Sequence, residues 1–427
     1  MHKNKIKRND LHINAPLQGI RVIDMATVLM GPVATQILGD YGADVIKIEP
    51  PEGDVMRHAG TARNPNMGPM YLATGRNKRS VALDIKKAEG KRALLKLCAG
   101  ADLFIHNVRP AAMRRAGLSY EDLRAINPSI VYVALVGFGQ DGPYAGRPAF
   151  DDIIQAASGI AGLFTRAGHA EPAFIPANLC DRMTGMAAAH TAIAALFMRS
   201  RTGEGQSIEV PMFETLTQMI LGDHLNGEAY VPPVAKTGYS RLLNRYRRPF
   251  KTLDGHLALT PYNDKQFRAF FSAIGREADF DGDARINTHA ARASNYDVAY
   301  GLLSEIVGTR STDDWINLCN AHEIPCQRIN SIDDLLADPH LNAVGFFQEV
   351  DHPTEGRIRQ MRHAARWSSL DTTTRYLPPR VGEHSIEVLR EAGFSQADID
   401  LLVASGATVQ ARSGHQLQHE ATAAAAN

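Results

Sequence analysis

Between residues 20 and 48 the chain spells strand, helix, strand, and that order restricts the fold more than any other feature. Ile20, Val22, Ile23 and Met25 form a β-branched, apolar run, and Val45–Ile48 form another. Between them Pro32 opens a helical pattern carrying Val33, Ile37 and Leu38, which stops at Gly42. A helix joining two strands over so short a span makes a right-handed parallel crossover. The theme repeats downstream. Strands are predicted at 80–83, 103–106, 130–135 and 207–210, with helices at 91–99, 120–126, 151–163 and 181–200. Such alternation predicts an α/β fold built on a Rossmann-like, doubly wound parallel sheet. With 427 residues the chain exceeds the roughly 250–300 at which one core stops growing, so two domains are expected.

The texture changes after residue 225. Residues 226–250 are polar, carry Pro232 and Pro233, and include a basic run of Arg241, Arg245, Arg247 and Arg248. A hairpin pattern, 250–259 across Asp254-Gly255, and several helices follow. The reading is therefore a flexible leader at 1–15, a large α/β domain at 16–225, a smaller α+β domain at 226–330, a return to the large domain at 331–405, and a disordered tail at 406–427. Strand-like 346–350 and a helix at 385–392 belong to the return. Lys+Arg and Asp+Glu both number 46, so no basic excess points to nucleic acid or to an anionic membrane. No apolar run approaches the roughly 20 residues of a membrane span. Four scattered cysteines, Cys98, Cys180, Cys319 and Cys326, suggest neither a disulfide framework nor a zinc site, and fit a reducing cytoplasm. His169, His190 and His224 lack metal-ligand spacing, so no metal is expected.

Four segments carry candidate chemistry. Asp181 stands where a long helix begins, followed by small residues, Gly185 among them, that allow close packing. An Asp there commonly caps the helix. It also suits a carboxylate held ionised by the helix dipole and able to attack a thioester carbonyl. Gly137-Phe-Gly-Gln-Asp-Gly-Pro-Tyr144 leaves a strand as a glycine turn whose N–H groups could face an oxyanion or phosphate. Neither this turn nor Thr27–Pro32 has the dinucleotide fingerprint, which argues against a nicotinamide enzyme. The basic stretches Arg76–Lys87 and Asn107–Arg115 suit a ligand with several phosphates, although solvated faces look the same. Thr202-Gly-Glu-Gly-Gln206 reads as a helix end turning into a strand.

In this order the segments resemble the family III CoA-transferases, a group that includes formyl-CoA:oxalate and carnitine CoA-transferases and has α-methylacyl-CoA racemases as relatives. The resemblance runs from Leu17 to Leu402. It rests on Gly19-Ile-Arg-Val-Ile-Asp24, Gly42-Ala-Asp-Val-Ile-Lys-Ile-Glu49, Asn77-Lys-Arg-Ser80, the turn at Gly137, Asp181 with Gly185, and Thr202–Gln206, with Asp254-Gly255, Ile324-Pro325 and Asp338-Pro339 further on. It implies Asp181 as the nucleophile and Leu83, Lys86, Asn107, Arg109 and Arg115 as coenzyme A contacts. It implies an interlocked, ring-shaped homodimer, an acyl-CoA thioester and a carboxylic acid as substrates, and no permanently bound cofactor. Racemases place a proton-shuttling His where this chain has Phe150, so the resemblance favours transfer over racemisation. A racemase or a non-catalytic acyl-CoA binder of the same fold are the rival readings. Pro50 stands where the oxalate enzymes have a coenzyme-contacting Arg, and their glycine-run loop is missing near 238–248, which argues against oxalate. Arg241, Arg245, Arg247 and Arg248 suggest a dicarboxylate.

Overall fold

The computed structural model describes residues 15–370 and 372–411. They form two compact units, one of residues up to 157 with 176–216 and the chain from 340 onward, the other of 158–175 and 217–339. Within the first unit lies a seven-stranded sheet. Its strands are β1 (Arg21–Asp24), β2 (Asp44–Glu49), β3 (Lys78–Leu83), β4 (Leu103–His106), β5 (Val131–Val136), β6 (Gln206–Pro211) and a short C-terminal strand, Thr408–Val409. The order, from the C-terminal strand, is 3-2-1-4-5-6. All neighbours among β1–β6 run parallel, and the C-terminal strand pairs antiparallel with β3. The chain winds outward from β1 to β3, then restarts on the other side of β1 with β4. Doubly wound sheets bind ligands at the carboxyl ends of the strands beside that switch.

Every residue of β3, β4 and β5 is buried, as expected where helices cover both faces. One face packs Ile23, Ile46, Phe104 and Tyr132 against Leu94 and Leu97 of the helix Ala88–Ala99 and Leu123 of the helix Tyr120–Ile126. Opposite them, α1 (Met30–Asp40) lies beside α2 (Leu179–Thr202). Two strands that read as apolar also bury charge. Lys47 and Asp54, each with a side chain 1% exposed, pair at 2.9 Å. Lys47 also donates to the carbonyl of Ala26 at 2.9 Å, and Asp54 accepts the Val28 N–H at 3.2 Å. This buried pair therefore props the turn between β1 and α1 from below. Val28 needs the support: its φ of +65° is rarely adopted by a β-branched residue.

The second unit has a three-stranded antiparallel sheet, Phe250–Lys251, His256–Leu259 and Cys326–Arg328, with a core around Phe270, Phe271 and Trp315. Among the described residues no helix is long and apolar enough to cross a membrane.

Two sequence expectations need correction. The single helix at 151–163 is two, Asp151–Ala157 and Ile160–Arg166, because Gly159 takes φ +89° and breaks the hydrogen-bond ladder. The tail begins later than residue 406: Ala407 is fully buried, and Thr408 and Val409 pair with Leu83 and Ala82. Two short β-formers at an open sheet edge suffice for that pairing, whatever the composition beyond them. Of the expected leader and tail, residues 1–14 and 412–427 lie outside the described residues.

Candidate active site

The crevice at the switch point is closed by a reciprocal pair. The Thr27 N–H donates to Oδ1 of Asn107 at 2.9 Å, and Nδ2 of Asn107 donates back to the Thr27 carbonyl at 2.7 Å. The turn after β1 is thereby tied to the turn after β4. Above it opens a cavity of about 400 Å³ whose lining includes Thr27, Val28, Asn107, Arg109, Gly137, Phe150 and Asp181. A neighbouring cleft of about 570 Å³ shares Arg109 and Gln140 with it and adds Arg114, Arg115 and Tyr132.

The structure thus brings Asp181, Asn107 and Arg109 to one cavity and puts Arg115 in the next. It does not bring Leu83 or Lys86 to either. The Leu83 side chain is 2% exposed in the main core, and Lys86 is exposed in the turn after β3.

Asp181 occupies the third position of α2; the capping position belongs to Asn178, whose side chain makes no cap bond. The expectation that Asp181 caps the helix is therefore corrected. Its own backbone N–H donates to Oδ2 of Asp151 at 3.0 Å. Asp151 is 6% exposed, and its Oδ1 accepts from Nε2 of Gln155 at 2.7 Å. Among the described residues no donor reaches the Asp181 carboxylate. Burial, and next the neighbouring charge of Asp151, push this carboxyl up to about 6, against a weaker pull from Arg182. The expected strong hold of the helix N-terminus on the ionised form is outweighed by desolvation and like charge. The result is an undersolvated carboxylate that is still ionised at neutral pH and facing a cavity, as covalent catalysis requires.

The glycine turn also departs from expectation. The Gly139 N–H donates to Oε1 of Glu214, and that of Gln140 to Oε1 of Glu209, both at 2.9 Å. These two amides are occupied by carboxylates and are not oxyanion donors. What the glycine at 137 supplies is room: a Cβ there would lie 2.4 Å from the Cβ of Ala149. Asp151, beside Phe150 in a pair that differs between branches of the family, was read in the sequence without its contact to Asp181, and Arg147 went unread. An Asp opening a helical pattern directly after Phe150 was a usable signal for the first; nothing in Gly146-Arg147-Pro148 signals the second.

Residues 17–385 match the profile of CoA-transferase family III. The chain belongs to that family. Its relatives include a succinyl-CoA:glutarate CoA-transferase of Mus musculus, 31% identical over 94% of this chain and 92% of the relative. Another is a succinate–glutarate CoA-transferase of Agrobacterium fabrum, 33% identical over 88% of this chain and 95% of the relative. A solved CAIB/BAIF family protein from Brucella suis superposes with a TM-score of 0.74 at 31% identity, covering 89% of this chain and all of that one. As a family III CoA-transferase the protein is an enzyme, and CoA thioesters are its substrates.

Proposed function

We propose that this CoA-transferase works through covalent acylation of Asp181, moving CoA from an acyl-CoA donor to a carboxylic acid acceptor. The observation that carries the reading is the Asp181 carboxylate itself, raised to about 6, without a donor, and lining the cavity that also holds Asn107 and Arg109. The carboxylate attacks the donor thioester carbonyl, and the C–S bond breaks to give an aspartyl–acyl anhydride and CoA thiolate. The thiolate attacks the aspartyl carbonyl, releasing the donor acid and leaving an aspartyl–CoA thioester. The acceptor carboxylate then attacks this thioester, forming a second anhydride, and the freed thiolate takes the acceptor acyl group. Both anhydride and thioester react with water, so the site must exclude it. Arg109 and Arg115 are positioned for the phosphates of the coenzyme, with binding energy spent on placing the thioester. The mouse and Agrobacterium relatives act on succinyl and glutaryl groups by name, which supports short dicarboxylic acids as substrates here. We also propose a homodimer. Met186, Phe197 and Met198 of α2 are 59%, 64% and 54% exposed, more apolar surface than one helix of a monomer usually leaves to water.

The test is intact-mass spectrometry of protein mixed with succinyl-CoA and no acceptor. A CoA adduct should form, map to Asp181, and disappear on adding glutarate. Turnover without any adduct at Asp181 under rapid quenching would sink the mechanism.

The pH profile offers a second check. A carboxyl raised to about 6 is the attacking anion above that pH and an unreactive acid below it. Accordingly kcat/KM should fall about tenfold per unit below pH ~6. Asp151→Asn removes the like charge but not the burial, so the acidic limb should move down, part of the way toward an ordinary Asp. A limb that stays in place in that variant assigns the titration to another group.

A further inference from the structure

The cavity at Asp181 is lined by a cation to which the mechanism above gives no role. Its ionisable lining is Arg109, Arg147 and Asp181. The first is taken by the coenzyme and the last by the chemistry. Arg147 is held in a particular way. Its guanidinium carbon lies 4.1 Å from the centroid of the Tyr144 ring. That ring meets Phe138 at 5.4 Å and Phe213 at 6.2 Å, and Phe138 is 6% exposed just past the end of β5. The Arg147 N–H closes a turn onto the Tyr144 carbonyl at 3.1 Å, and the loop begins at the two amides fixed by Glu214 and Glu209. Arg147 has no carboxylate partner among the described residues. A guanidinium stacked on an aromatic ring keeps its in-plane N–H donors available, and the stack limits its rotation. It is thus a preorganised fork for a carboxylate, in the cavity where Asp181 takes hold of the other end of the substrate.

We propose that Arg147 binds the distal carboxylate of a dicarboxylic acyl group and sets the preference of the enzyme for dicarboxylates over monocarboxylates of equal length. This rests on Asp181 being the acylated residue. It also relocates the dicarboxylate argument: Arg241, Arg245, Arg247 and Arg248 lie in the second compact unit, where Arg241 donates to the Tyr300 hydroxyl and Arg245 stacks on Tyr246. A monocarboxylate offers Arg147, an exposed cation on the cavity lining, only a methyl group, whereas glutarate gives it a bidentate partner.

The test compares glutarate with pentanoate as acceptors at saturating donor, in the full-length protein and in its Arg147→Gln and Arg147→Lys variants. The parent should prefer glutarate. Arg147→Gln should lower kcat/KM for glutarate by roughly tenfold to fiftyfold while pentanoate stays within about twofold. Arg147→Lys, a point charge without the fork, should recover part of the loss. Three results overturn the proposal: a parent that prefers pentanoate, an equal loss for both acids in Arg147→Gln, or a raised KM for a monocarboxylic acyl-CoA donor whichever acid is used. The CoA adduct at Asp181 separates the two claims. If the adduct forms and the acid preference does not change, only the role of Arg147 fails; if no adduct forms in the parent, the covalent reading fails first.

Discussion

An Asp181→Asn protein should keep acyl-CoA binding, lose CoA transfer by about 10⁴-fold or more, and yet resist denaturant better than its parent. The loss of activity follows from the chemistry. A neutral amide of the same shape fills the same space but has no anionic oxygen to form the anhydride, and among the residues lining the cavity no other carboxylate can replace it. The gain in stability follows from the raised pKa. A carboxyl at 3.8 in the unfolded chain and about 6 in the folded one is better tolerated protonated than ionised by the fold. Stability conferred on the protonated form is therefore complete below pH 3.8 and lost as pH rises to about 6. At pH 7–8 the parent bears the whole penalty. Two pH units set an upper limit of about 3 kcal/mol. Partial exposure of Asp181 reduces that to about 1–2 kcal/mol. Urea titrations at pH 7.5 and pH 3.5 should show a higher midpoint for Asp181→Asn at the former only. A variant no more stable than the parent at pH 7.5 would mean that the carboxylate is better solvated than its burial implies. A variant with more than about one hundredth of the parent activity would remove Asp181 as the nucleophile.

This opposition between stability and reactivity explains which parts of the molecule could be read from the sequence. The strands of the large sheet could be, because Ile23, Ile46, Val81, Phe104 and Val133 follow one another in short apolar runs divided by helical periods, and burial on both faces requires that pattern. The position of Asp181 at a helix start was also legible. Its electrostatic state was not. That depends first on burial, and next on Asp151, 30 residues away in sequence, whose carboxylate turns to the backbone of Asp181. Buried charges in the strands were equally hidden. Lys47 and Lys78 look like solvent-facing residues until Asp54, from the turn after β2, and Asp24, at the end of β1, pair with them. The break at Gly159 was missed because the apolar periodicity continues across it, and only a positive φ marks the stop. Local patterns thus fix elements and their order, whereas the charge state of the site arises from contacts distant in sequence.

A packing constraint on the same helix leads to the other large effect. Gly185 lies one turn along α2 from Asp181 and faces α1, where a Cβ would come within 2.6 Å of the Met30 carbonyl oxygen and 3.0 Å of the Val33 Cβ. In Gly185→Ala the methyl cannot be accommodated by rotating a side chain, because its nearest neighbour is backbone. The two helices must separate by several tenths of an ångström at that point. Stability changes in two opposing ways: overpacking costs about 1–3 kcal/mol, and replacing a helical Gly by Ala returns up to about 1 kcal/mol. The Ala preference thus offsets part of the overpacking and leaves a net loss of up to about 2 kcal/mol. Activity has no such compensation. Met30 and Asp181 both line the cavity, so the shift acts directly on the distance between nucleophile and thioester. A displacement of that order costs about 10²-fold in a reaction that depends on near-attack geometry. Gly185→Ala should thus lower kcat by about 10²-fold, while its stability falls by no more than about 2 kcal/mol. Gly222→Ala is the matched control, since a Cβ there meets open space. It should gain up to about 1 kcal/mol and keep full activity. If Gly185→Ala retained parent kcat, the approach of α2 to α1 would not be what positions Asp181.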